Sequence, residues 1–232
     1  MVFADKQACS DGTMTPSNMI TPLNTMILPE PTLRRLPWYL AYVEILKARR
    51  EKHVSSTRVA RALNVDASQI AKDLSFLNLR GKTRIGYEVD TLCSVLRDFL
   101  GFSQPHNAYV IGVGSLGSAL MRDSGLMKYG LRIIAGFDTD DNIVGREDLG
   151  VPVFHLDDID AEMKGHPADI CILTVPAEAA QEAADAAIAA GMKAIWNFTP
   201  YRVKVAEGVV MANTSIYAHL ALIYNRLGEL KS

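Results

Sequence analysis

The sequence predicts an α/β chain in two modules, a small basic helical one followed by a larger one built on a parallel sheet. Three observations predict it. Apolar side chains recur at helical spacing in three runs between Leu33 and Leu77. From Ala108 onward, short apolar runs alternate with helical ones. A glycine-rich turn, Gly112 to Gly117, joins the first of those apolar runs to the helix after it. Strands alternating with helices mean a parallel sheet wound on both faces.

In chain order, residues 1–30 are rich in Thr, Met, Pro, Ser and Asn without a sustained period and read as a mobile tail. Leu33, Leu36, Tyr39, Leu40, Val43, Ile45 and Leu46 then form a helical stripe that ends at the cations Arg49, Arg50 and Lys52. Ser55 or Ser56 is placed to cap a second helix, carrying Val59, Ala60 and Leu63. After a break at Asn64-Val65, Asp66 is placed to cap a third helix that runs to Leu77, with Ile70, Leu74 and Leu77 inward. Two short helices joined by a turn match the helix-turn-helix plan. Arg80 to Val89 holds two glycines and alternates polar with apolar residues, which predicts a β-hairpin. This is the wing of a winged-helix domain. A fourth helix, about Asp90 to Leu100, closes the module, and Gly101 to Asn107 links it to the next.

In the second module strands are expected at Ala108–Ile111, Arg132–Phe137, Ile170–Val175, Ala194–Phe198 and Val209–Ala212, with a weaker one near Val153. Helices are expected near Ser115–Leu126 and Ala177–Ala190. The last segment, Ser215–Leu230, is a helix with Ile216, Leu220, Ile223 and Leu227 on one stripe, placed to pack on a partner subunit.

Composition narrows the function classes. Hydrophobic residues make up 49% and charged residues 22%, the balance of a chain with a packed interior. No apolar run approaches the roughly 18 residues of a membrane-spanning helix. No basic segment followed by an apolar stretch and a small-residue cleavage site opens the sequence, which points away from export. Three distant cysteines, Cys9, Cys93 and Cys171, fit a reducing cytoplasm, with the last two as buried apolar residues. The net charge of −2 is uneven: residues 31–100 carry 13 Lys/Arg against 7 Asp/Glu, while residues 101–232 carry 10 against 16. A basic module joined to an acidic one suits a polyanion-binding segment coupled to something else.

Gly112-Val113-Gly114-Ser115-Leu116-Gly117 follows an apolar strand, opens a helix, and is answered by Asp138 at the end of the next strand, 21 residues beyond Gly117. That is the context a dinucleotide fingerprint demands. Gly112 permits the tight turn, Gly114 lets the backbone approach a pyrophosphate, and Gly117 lets helix and strand sit close. The pyrophosphate would lie on free amides at the positive helix end. Asp138 would accept from the adenosine ribose hydroxyls and repel a 2′-phosphate, favouring NAD(H) over NADP(H). Thr174-Val175-Pro176 and Asn197-Phe198-Thr199 end two further strands, where ligands of such sheets bind, and are expected on the nicotinamide side.

A dehydrogenase needs a proton donor or acceptor and a substrate anchor. The five histidines are scattered, no Tyr-x-x-x-Lys pair follows the fingerprint, and a basic helix-turn-helix occupies the place of a substrate domain. No catalytic or metal-ligating residue is therefore expected, and a ligand sensor fits better than a catalyst. On the third helix, Ser68, Gln69, Lys72 and Ser75 would project into a DNA major groove, where Gln can read adenine and Lys guanine. Lys82 and Arg84 in the wing would reach the adjacent minor groove or phosphates. Two other readings remain: an NAD-dependent oxidoreductase with an accessory DNA-binding module, and a CoA- or acyl-binding regulator.

From about Leu33 to Leu227 the chain resembles the Rex family of repressors. The resemblance is carried by Gln69-Ile70-Ala71-Lys72-Asp73-Leu74-Ser75, Arg84-Ile85-Gly86-Tyr87, the fingerprint through Leu120, Phe137-Asp138, Leu173 to Gln181, and Asn197-Phe198-Thr199-Pro200. It implies a homodimer with swapped C-terminal helices, bound to a palindromic operator when NADH is low, and released when NADH closes the two halves and moves the recognition helices. The implied division is a tail (1–30), a winged-helix domain (31–104), a Rossmann NAD(H) domain (105–213) and a swapped helix (214–232), in a cytoplasmic protein. The chain departs from the family at Ala71, where Arg is common, at Asp123, where Tyr is usual, and at Ser215, where an acidic residue is usual.

Overall fold

The computed structural model describes residues 28–229. Most of the expected tail, residues 1–27, lies outside the described residues, as does Cys9. The chain divides into two compact units, one up to Cys93 and one from Ser94 onward.

The first unit opens with α1 (Glu30–Ala48), whose buried apolar face is Leu36, Tyr39, Leu40, Val43 and Leu46. Leu33 and Ile45, expected on that stripe, are exposed. Ile45 follows Leu36 by about two and a half turns of 3.6 residues and so faces the opposite way. In α2 (Ser56–Leu63), the Ser55 hydroxyl caps the helix by accepting from the Arg58 N–H at 3.2 Å. Asn64 then turns the chain in a left-handed conformation, φ +53°. α3 (Ala67–Ser75) follows Asp66, which stands at the cap position with no side-chain bond to the helix amides, contrary to expectation. Ile70 and Leu74 of α3 are buried, each contributing about 1.5–3 kcal/mol of transfer free energy.

The wing differs from the simple hairpin expected over Arg80–Val89. Lys82 and Gly86 exchange both backbone hydrogen bonds, at 2.9 and 2.8 Å, around a tight turn. The following strand, β2 (Tyr87–Glu88), pairs antiparallel with β1 (His53–Val54), which precedes α2. α4 (Val89–Phe99) begins directly after β2.

The second unit holds a six-stranded sheet with the order β5-β4-β3-β6-β7-β8, in which every pairing is parallel. Its strands are β3 (His106–Ile111), β4 (Leu131–Asp138), β5 (Val153–His155), β6 (Ile170–Leu173), β7 (Ala194–Asn197) and β8 (Val210–Asn213). This is the doubly wound order of dinucleotide-binding sheets, and the direction of winding reverses between β3 and β6. α5 (Ser115–Arg122) stops short of the expected Leu126, because Asp123 is extended and its Oδ1 accepts the Gly125 N–H at 2.6 Å. A separate 3₁₀ turn covers Leu126–Tyr129. α6 (Ile159–Gly165) was not expected, since seven residues are too few to establish a period.

The sheet is buried on both faces. Tyr109, Ile111 and Phe137 pack with Ala180, Ala183, Ala184 and Ala187 of α7 (Ala180–Ala189), whose alanines let it lie close. Ala108, Val110 and Ile172 pack on the other face with Met121 of α5. Cys93 and Cys171 are buried, as expected. α8 (Ile216–Glu229) follows β8 and has no buried residue; Ile216, Leu220, Ile223 and Leu227 are all exposed.

Candidate dinucleotide cavity and nucleic-acid face

β3 is central, so its carboxyl end opens onto the crevice where the winding reverses. The chain leaves it through Gly112 at φ +94°, where a Cβ would stand 2.8 Å from the Thr174 carbonyl carbon and the Val175 nitrogen. A Cβ at Gly117 would stand 2.0 Å from the Gly112 oxygen, whereas one at Gly114 would meet open space. The turn therefore needs glycine for two different reasons, close approach within the protein and access from outside. Two side chains hold it. The Thr174 hydroxyl donates to the Gly112 oxygen at 2.6 Å. The Val113 N–H donates to Asp138 Oδ2 at 2.7 Å, while Asp138 Oδ1 accepts from Thr139 and Asp140 N–H at 2.8 and 3.1 Å.

Around this turn lies a cavity of about 830 Å³. Of the residues expected at a cofactor, it is lined by Gly112, Gly114, Leu116, Asp138, Thr174, Val175, Pro176, Phe198 and Thr199. Val113, Ser115 and Gly117 support the turn without lining it. Asn197 is a correction. Its side chain is 1% exposed, donates to the Tyr201 oxygen at 2.8 Å and to Asn213 Oδ1 at 2.9 Å, and accepts the Thr199 N–H at 2.9 Å. It shapes the β7–β8 connection and leaves the lining to Phe198 and Thr199. Sequence reasoning missed Ile143, Leu156 and Asp157, and Ile216 and Tyr217 at the start of α8. Those loop positions carry no motif; the apolar stripe of α8 was visible, but not its first turn's place at the cavity.

The cavity fits a dinucleotide on the structure's own terms. It offers an open approach at Gly114, a carboxylate at the end of β4, and apolar walls beside the reversal point. No histidine lines it. Among the described residues no group of His, Cys, Asp and Glu is arranged to hold a metal ion. Among them too, no helix is long and apolar enough to cross a membrane.

In the first unit, Ser68, Lys72 and Ser75 are exposed on α3, and the Ser75 hydroxyl donates to the Lys72 oxygen at 2.7 Å. Ser75, Lys82 and Arg84 come together at a recess of about 480 Å³ that Ser56, Ala71 and Arg80 also line. Ser68, Gln69 and Lys72 lie outside that recess. Arg84 sits in the wing turn at φ +67°, a conformation uncommon for a side chain of its size. Gln69 is half-buried, and its Nε2 donates to Asp73 Oδ1 at 2.8 Å.

Asp73, on α3, is fully buried. It also accepts from Arg35 Nε at 2.7 Å and Arg35 Nη2 at 2.9 Å, from the Tyr39 hydroxyl at 2.7 Å and from the Thr32 hydroxyl at 3.0 Å. Burial pushes its pKa up, but the bonds from Arg35, Tyr39, Gln69 and Thr32 together hold it below the usual carboxylate range. Burial and the adjacent carboxylate push the Tyr39 hydroxyl well above its ordinary value. The sequence hid this network, because Thr32, Arg35 and Tyr39 lie 34 to 41 residues away from Asp73.

Family models match a segment of each unit. Residues 27–75 match the family described as putative DNA-binding protein N-terminus, and residues 103–201 match the CoA binding domain family. The redox-sensing transcriptional repressor Rex of Bacteroides fragilis is 54% identical over 214 residues, covering 92% of this chain and 97% of that protein. The protein of the same name from Porphyromonas gingivalis is 54% identical over 216 residues, 93% of this chain and 99% of its own. Among solved structures, RSP in complex with β-NAD⁺ and operator DNA superposes with a TM-score of 0.84 at 32% identity, covering 89% of this chain and 95% of that one. RSP in complex with β-NADH gives 0.79 at 33% identity, covering 89% and 97%.

Proposed function

This chain belongs to the Rex family of redox-sensing transcriptional repressors, and from that premise we propose that it binds a palindromic operator as a homodimer and leaves it when NADH rises relative to NAD⁺. The observation that carries the reading is the presence, in one chain, of a dinucleotide cavity at a sheet reversal and a basic helix-turn-helix with a wing. The chain is a regulator rather than an enzyme.

The cavity residues have separable tasks. Gly112, Gly114 and Leu116 with the first amides of α5 would hold the pyrophosphate. Asp138 would accept from the adenosine ribose, and its negative charge excludes a 2′-phosphate. Val175, Pro176, Phe198 and Thr199 would line the nicotinamide side. The bound nicotinamide supplies the redox state that is read. Ser68, Gln69 and Lys72 on α3 would meet base edges, and Ser75, Lys82 and Arg84 would meet the backbone or the minor groove. Residues 31–104 form the DNA module, 105–213 the cofactor module, and 214–232 the helix exchanged between subunits. A regulator with these two ligands works in the cytoplasm.

Release requires that NADH favour the dimer arrangement that cannot hold DNA, because a ligand of equal affinity for both arrangements shifts nothing. The test is operator binding titrated with NADH, NAD⁺, NADPH and CoA. NADH alone should dissociate the complex at low concentration, and NAD⁺ should compete with it without releasing DNA. Release by CoA in place of NADH overturns the cofactor assignment, and turnover of NADH with a carbonyl substrate restores the oxidoreductase reading.

A further inference from the structure

The buried carboxylate of Asp73 does more than join two helices. It receives five hydrogen bonds: four from Thr32, Arg35 and Tyr39 of α1, and one from Gln69, a turn earlier on its own helix. An ionised carboxylate has only lone pairs to offer. The Gln69 amide can therefore turn only one way. Its nitrogen must face Asp73 Oδ1 at 2.8 Å, since rotating the amide by half a turn would set Oε1 against a negatively charged oxygen. An amide orientation that is usually ambiguous is here dictated by chemistry.

This fixes what Gln69 can show to a ligand. One Nε2 hydrogen is engaged, which leaves Oε1 as an acceptor and the second Nε2 hydrogen as a donor. Gln69 is the third residue of α3, in the first turn, the part of a recognition helix that reaches base edges. In the major groove adenine offers a donor at N6 beside an acceptor at N7, which pairs with that acceptor and donor. Guanine offers acceptors at both O6 and N7 and would set its O6 against Oε1.

We propose that Asp73 is a positioning residue for sequence recognition, locking the polarity of the Gln69 amide so that Gln69 selects an A·T pair and rejects G·C at one position of each operator half-site. The proposal rests on the DNA-binding reading above and adds the specificity determinant to it. A purely structural Asp73 would tie α1 to α3 and carry no base preference.

The experiment measures binding of the full-length chain, without NADH, to operators in which each base pair is replaced in turn. The wild type should prefer A over G at one symmetry-related position by about tenfold or more, the discrimination expected of a bidentate pair. Gln69→Ala should erase the preference there and nowhere else. Asp73→Asn, whose amide can present oxygen or nitrogen to Gln69, should flatten the same position while leaving the salt dependence of binding to non-operator duplex unchanged. Tyr39→Phe removes one bond to Asp73 but leaves Gln69 oriented, so it should lower thermal stability and keep the preference.

A uniform loss of affinity in Asp73→Asn with the preference intact overturns the proposal, as does a Gln69→Ala variant with an unaltered specificity profile. If Asp73→Asn does not fold, amide NMR of the wild-type chain decides. One Gln69 Nε2 proton should be shifted downfield by its hydrogen bond, and two protons at free-amide positions overturn the assignment. Failure of the wild type to prefer any operator over random duplex refutes the DNA reading itself, a different outcome from a flat response at one position.

Discussion

The Asp138 carboxylate accepts the Val113 N–H at 2.7 Å, so the acidic residue that ends β4 also fastens the glycine turn that leaves β3. The residue proposed to recognise the ribose is thus part of the scaffold of the glycine turn. Its other oxygen is held by the Thr139 and Asp140 amides, which leaves about one lone pair, on Oδ2, for a ligand.

Asp138→Asn should therefore cost both binding and stability. Whichever way the new amide turns, its NH₂ meets a backbone N–H, either that of Val113 or those of Thr139 and Asp140. The loss should be about 1–3 kcal/mol in urea unfolding, the worth of hydrogen bonds to a charged group. NADH should release the operator only at much higher concentration, while DNA binding without ligand persists. Unchanged unfolding would show that Asp138 does not hold the turn.

Gly117→Ala separates the turn from the rest of the fold. Its Cβ would fall 2.0 Å from the Gly112 oxygen, and backbone cannot rotate away as a side chain can. Calorimetric titration should show loss of NADH binding, with a destabilisation of about 1–3 kcal/mol from overpacking. Gly114→Ala, where among the described residues nothing beyond the chain neighbours stands within 4 Å of the new Cβ, should fold normally and lose ligand affinity only.

Arg84→Gly should move stability and DNA binding in opposite directions. Relief of the left-handed conformation at φ +67° should stabilise the chain by up to about 1 kcal/mol. Loss of the guanidinium should weaken operator binding and reduce the slope of log K against log salt by about 1 if Arg84 meets a phosphate. A variant that is both more stable and an equally good binder would remove Arg84 from the interface.

Acid stability should report on Asp73. Its folded-state pKa lies below its ordinary value of 3.8, so the contribution is complete above that value and is lost as pH falls through the folded one. Unfolding free energy measured from pH 5 to pH 2 should fall in the wild type with a component that Asp73→Asn lacks. Identical slopes in the two proteins would show that Asp73 is not held ionised.

The fold class and the cavity were legible because their signals are local. Gly112 to Gly117 and Asp138 lie at a spacing set by one strand-helix-strand unit, and the β3 to β8 alternation needs no knowledge of distant partners. What stayed hidden depends on pairings between residues far apart in the chain. Tyr87–Glu88 finds its strand partner at His53–Val54, across two helices. Asp73 resembles a solvated helix residue until Arg35 and Tyr39 are brought beside it. Asn197 sits where ligand contacts collect, yet Tyr201 and Asn213 claim its amide.

α8 presents Ile216, Leu220, Ile223 and Leu227 to solvent in the single chain, along with Tyr217 and Tyr224. A helix of 14 residues with no buried side chain has little reason to persist alone in water. If α8 is exchanged between subunits, as proposed above, its order is tied to finding a second copy, and assembly becomes a mass-action step rather than a fixed property of the protein. Cellular abundance then enters the same equilibrium as the redox signal.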